Sequence, residues 1–138
     1  MRVSVICTVL NEVQAAGRVL DSLTAQSRLP DEVVIVDGGS SDGTQTVVMS
    51  YAERLPLKLQ EARGANISRG RNLAVKRSTG DVIASVDAGV RLEPDWLERL
   101  VTPFEGLPPE ELRSGSYAVA GFFQPDPQGA FELALGAT

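Results

Sequence analysis

The chain has 138 residues, 43% hydrophobic and 22% charged, which fits one globular domain with its own core and excludes a disordered chain. A net charge of −5 argues against broad binding to nucleic acid or anionic membranes. Histidine is absent and cysteine occurs once, at Cys7. Ser-His-Asp and Cys-His machinery, histidine metal sites, a zinc cluster and an internal disulfide are therefore all excluded within this chain.

The predicted elements begin with Val3 to Val9, a β-branched run expected to form the first strand, with Cys7 inside it as a small buried hydrophobe. Neither GxGxxG nor GxxxxGK[ST] follows, so the dinucleotide fingerprint and the P-loop are both missing. Ala16, Val19, Leu20 and Leu23 recur at helical spacing and predict a helix over about 13–26. Val33 to Val36 reads as a strand buried on both faces, stopped by Asp37 and the turn-rich loop Gly38-Gly39-Ser40-Ser41-Asp42-Gly43. A second helix is expected from Thr44 until Pro56 ends it, then a short edge strand over 57–60, a loop over 63–66 and a third helix over about 68–78. Val82 to Val86 reads as a fourth strand ending at Asp87, and Pro94 suits the first turn of a helix that buries Trp96, Leu97, Leu100 and Val101. One helical turn is expected over 110–113, a fifth strand over 116–123 and the start of a helix over 131–137.

This alternation implies a mostly parallel sheet with helices on both faces and right-handed crossovers. The ends of strands one, two and four then meet at one edge, where open α/β sheets take their ligands. Thr8, Val9, Leu10, Asn11 and Glu12, together with Asp37 and Asp87, are expected to line one crevice. Without histidine such a rim suits a ligand rich in hydroxyls: Asp37 and Asp87 can accept from ribose or from a base N–H, and Gly38 and Gly39 let it approach the backbone. The segment 63–77 holds Arg63, Arg69, Arg71, Lys76 and Arg77 and no acid, a natural partner for a diphosphate. Against this stands the plainer reading of a solvated helix face and of Asp42 or Thr44 as simple caps.

Four blocks, VSVICTVLNE, PDEVVIVDGGSSDGT, ISRGRNLAVKRSTGDVIASVDAG and LEPDWLERL, together resemble the family 2 glycosyltransferases in order and spacing, over nearly all of 3–101. The resemblance implies a Rossmann-like GT-A three-layer sandwich, apparently truncated after the fifth strand, with the acceptor-side portion absent. It implies a nucleotide-diphospho-sugar donor, with Thr8 to Asn11 and Asp37 around the base and Arg71 near the nucleotide. Asp87-Ala88-Gly89 stands where the family carries its DxD-type signature. Asp87 is then the implied ligand of Mg²⁺ or Mn²⁺, and Gly89 replaces the acid that usually holds the cation. Gly38 likewise stands where the family often has a second acid. No residue is assigned as general base, since inverting members take it from the second half of the domain.

The function implied is transfer of a sugar, with inversion expected, to a glycan, lipid or small acceptor by the complete protein. The alternative is a non-catalytic nucleotide-binding or interaction module that docks through its open sheet edge. A phosphoacceptor receiver domain fits less well, because Leu10-Asn11-Glu12 replaces its acid pair. Self-association into a homo-oligomer is expected if an incomplete sheet leaves apolar surface. With no signal peptide pattern and no bilayer-length apolar run, the expected location is cytoplasmic, at the inner membrane face if a further segment anchors it.

Overall fold

The structure, a computed structural model, describes residues 1–114, 117–121 and 124. Its elements run β1 (Val3–Val9), α1 (Val13–Thr24), β2 (Glu32–Asp37), α2 (Thr44–Met49), β3 (Leu57–Glu61), α3 (Ile67–Arg77), β4 (Val82–Ser85), α4 (Trp96–Val101), a 3₁₀ turn (Thr102–Phe104) and α5 (Pro109–Arg113). Four strands form one sheet in the order β3-β2-β1-β4, every pairing parallel. The chain adds β2 and β3 on one side of β1, then crosses to put β4 on the other. The strand order therefore reverses beside β1, and crevices form at the C-terminal strand ends of such a reversal.

Strand alternation builds the three layers. Val3, Val5, Cys7 and Val9, Val33 and Ile35, and Val82 and Ala84 face one way, into a core with α1, α2 and α4. Ile6, Val34 and Val36 face the other way, against Ala74 and the half-buried Leu73 of α3. Burying both faces of β1 and β2 explains why their sequences are continuously apolar instead of alternating. On β4 only Val82 and Ala84 are buried, and Ile83 stays 40% exposed.

Three expected elements end differently: the second helix closes at Met49, well before Pro56. The fourth strand stops at Ser85, although Val86 still donates its N–H to Ile6 O at 3.0 Å. The described part of the expected fifth strand, 117–121, is not a strand. Its β-branched and aromatic side chains suit a pleated surface, but among the described residues no neighbouring strand supplies the ladder that would hold them. The expected helix over 131–137 lies outside the described residues.

The N-terminal strand ends are held by a buried polar network around Glu32, which is 2% exposed. Its carboxylate accepts from Ser4 Oγ (2.5 Å), Lys58 Nζ, Thr79 N (2.8 Å) and Thr79 Oγ1 (3.2 Å). Gly80 N donates to Ser4 Oγ at 2.9 Å and closes the ring. A Cβ on Gly80 would stand 2.6 Å from Ser4 Oγ and 2.7 Å from Ser4 N. Because one partner is backbone, no rotamer relieves the contact, and Gly80→Ala is expected to lower stability by about 1–3 kcal/mol. Urea unfolding checks this; a midpoint equal to that of the parent would show that the β4 entry yields without cost.

Candidate functional site

Two loops at the C-terminal end of the sheet are sewn together. Asn11 N donates to Ser40 Oγ (2.8 Å), and Asn11 Oδ1 accepts from Ser41 N (2.8 Å). Glu12 N donates to Thr44 Oγ1 (3.0 Å). Asp42 accepts from Val13 N (3.3 Å) and Thr44 N (3.0 Å), so it fastens the starts of both α1 and α2. The hydrogen bond from the Thr44 hydroxyl, aided by the backbone donors, holds the Asp42 carboxyl below the usual range. Asn11 adopts φ 48°, a left-handed conformation that asparagine tolerates better than most residues. Asp42 was legible as a cap; its reach back to α1 was not.

Asp37 is placed differently from the expectation. It is fully buried, and its Oδ1 accepts from Gly39 N and Ser40 N, each at 2.7 Å, while Oδ2 is buried with no protein partner. The carboxylate therefore shapes the 38–41 loop from below and does not face an open crevice. Gly39 also departs from expectation: at φ 106° it makes the turn, with a Cβ position 3.1 Å from Arg63 Cγ. Ala88 packs half-buried against the core.

The crevice itself is a groove of about 410 Å³, lined by Thr8, Val9, Leu10, Glu12, Val36 and Gly38 on the strand side and by 65–68 and Gly70 from the start of α3. Asn66 caps that helix, its Oδ1 accepting from Arg69 N at 2.8 Å, a signature visible in the sequence as an asparagine three residues before the donor. Sequence reasoning missed Gly70. A Cβ there would lie 3.0 Å from Thr8 Cγ2, so this glycine lets α3 close down on the end of β1.

Beside the groove, over the reversal between β1 and β4, Arg71 Nη2 donates to Asp87 Oδ1 at 3.1 Å, and both side chains are largely exposed. Arg71 follows Gly70 directly, so groove and ion pair share one helix. Of the other cations in the basic island, Arg63 pairs with Glu61 (3.3 Å) and Arg77 Nε donates to Gln60 (2.7 Å), both toward β3. Burial, with the charges of Asp87 and Glu12 adding to it, pushes the Cys7 thiol up to about 12, so Cys7 is no nucleophile at neutral pH.

The Asp87 loop is anchored to α1. Gly89 N donates to Ala15 O (3.1 Å), and Arg18 Nη1 donates to Gly89 O (3.4 Å). Gly89 sits at φ 86°, and a Cβ on it would lie 3.5 Å from Ala15 Cβ. Among the described residues no three acidic, cysteine or histidine side chains stand close enough to hold a metal ion. No helix among them is long and apolar enough to cross a membrane.

An open parallel sheet with a groove and a charged pair at the point of strand reversal defines a Rossmann-like ligand-binding α/β domain. The chain belongs to glycosyl transferase family 2, whose model matches residues 4–110. It is 31% identical over 116 residues to a validoxylamine A glucosyltransferase of Streptomyces hygroscopicus subsp. limoneus, covering 81% of this chain and 26% of that protein. It is 33% identical over 131 residues to a glucosyl-dolichyl phosphate glucuronosyltransferase of Haloferax volcanii, covering 91% and 39%. Among solved structures it resembles S. aureus TarS 1-349 in complex with UDP-GlcNAc, at TM-score 0.68 and 28% identity, covering 75% of this chain and 32% of that one. It also resembles a mannosyltransferase of Pyrobaculum calidifontis in complex with GDP-Man and Mn²⁺, at TM-score 0.67 and 33% identity, covering 72% and 31%. The chain thus spans between a quarter and two fifths of the length of these relatives.

Proposed function

We propose that this chain binds the nucleotide-diphospho-sugar donor of a glycosyltransferase, with the base in the groove between Thr8–Leu10, Gly38 and the first turn of α3. The diphosphate then runs along α3 toward Arg71, and the sugar lies over the Asp87 loop. In the complete protein the acceptor, a glycan, a lipid or a small molecule, would displace the nucleoside diphosphate at the sugar carbon through its hydroxyl, with inversion. The observation that carries the reading is a roomy groove at the C-terminal strand ends whose wall residue Thr8 also lies beside Arg71, the partner of Asp87. The Streptomyces, Haloferax, TarS and Pyrobaculum relatives support it by their activities and their UDP-GlcNAc and GDP-Man ligands.

Calorimetric titration of the 138-residue chain with UDP-GlcNAc, UDP-glucose and GDP-mannose tests this. Saturable binding at one site is expected for at least one of them, together with amide shifts at Leu10, Gly38 and Ile67 in a nuclear magnetic resonance titration. A folded sample that gives neither heat nor shifts with any of the three would remove the donor reading.

A further inference from the structure

We infer that in this chain the donor's diphosphate is met by the Arg71 guanidinium and not by a divalent cation held on the Asp87 loop. This rests on the proposed donor site and concerns how that site balances charge. A bound nucleoside diphosphate brings its negative charge next to Asp87, so some cation must stand there. Mg²⁺ and Mn²⁺ take about six oxygen ligands and are usually fixed by one or two carboxylates together with phosphates and water.

Here that arrangement is reduced to a single carboxylate, with a guanidinium standing beside it. Between Ser85 and Leu92 Asp87 is the one carboxylate, and Arg71 Nη2 lies 3.1 Å from its Oδ1. The position two residues on is Gly89, at φ 86°, a left-handed conformation that side chains rarely adopt. Its backbone is bonded at both N and O to α1, and its Cβ direction leads to Ala15. A carboxylate introduced there would start in contact with Ala15 of α1, and the loop as it stands offers no second acid at that position.

Arg71 has what the substitute needs. Its charge is permanent, and its planar donors match two phosphate oxygens at once. It is 44% exposed and its partner 65% exposed, so their ion pair is a weak surface contact that a diphosphate can replace. In the free protein Asp87 holds the guanidinium beside Thr8, one wall of the groove; on binding, Arg71 turns from Asp87 to the diphosphate.

The test compares the affinity of UDP and of GDP for the 138-residue chain in EDTA and in MnCl₂ by calorimetry. Electron paramagnetic resonance of Mn²⁺ with the nucleotide, with and without protein, reads protein-held metal directly. Equal affinity within about threefold in the two conditions is expected, with no additional Mn²⁺ captured by the protein. Arg71→Met, whose fold is checked by circular dichroism, is expected to weaken binding by about tenfold or more in both. A larger gain in affinity with Mn²⁺, removed by Asp87→Asn, would overturn the inference while leaving the donor site standing, as would unchanged affinity in Arg71→Met. Absence of nucleotide binding in either condition would overturn both.

Discussion

Replacing Glu32 by alanine is expected to destabilise the fold by about 3 kcal/mol. The change removes a carboxylate that accepts from Ser4, Lys58 and both donors of Thr79, and leaves Ser4 Oγ and Thr79 N without that partner beneath the sheet. Titration of the same group predicts a pH dependence of matching size. Burial alone pushes the Glu32 carboxyl up; the hydrogen bonds from Lys58, Ser4 and Thr79 outweigh it and hold it at about 2, below its ordinary value of 4.5. A carboxyl depressed in the folded chain contributes its stability fully above 4.5. That contribution, about 3 kcal/mol, is lost as pH falls from about 4.5 through about 2. Urea unfolding followed by the fluorescence of Trp96, the single tryptophan, half-buried against the core, reads both effects. In the alanine variant the loss of stability between those pH values should be much reduced. A parent and a variant with the same acid slope would show that other carboxyls govern it.

Gly38→Phe is expected to lower nucleotide-sugar affinity by more than tenfold, about 1.4 kcal/mol or more, while the chain stays folded. Gly38 has no positive φ, so a side chain is conformationally allowed there. Its Cβ would lie 3.3 Å from Ala65 O and 3.5 Å from Leu10 Cδ1, between two walls of the groove. A ring carried from that point fills the space proposed for the base. The tight contact with Ala65 O costs the fold about 1 kcal/mol, which thermal unfolding separates from the loss of binding. Donor affinity equal to the parent's would move the base out of this groove.

The layered fold was legible because it rests on local periodicity. The apolar runs Val3 to Val9 and Val33 to Val36 and the helical spacing of Ala16, Val19, Leu20 and Leu23 are all short-range signals, and a parallel sheet follows from their alternation. The arrival of Thr8, Gly38 and Asp87 at one edge was legible for the same reason. The partner of each polar side chain was not. Arg71 finds Asp87 from 16 residues away, and Glu32 finds Thr79 from 47 away. The sequence by itself determined four strands, the helices that pack on them, the family and the edge where the strand ends meet. Only the tertiary structure decided that Asp37 turns inward to hold a loop, that Glu32 anchors the far end, and that Gly89 leans on α1. A carboxylate's role depends on its desolvation and on which donors surround it, and both are set by segments that meet only when the chain is folded.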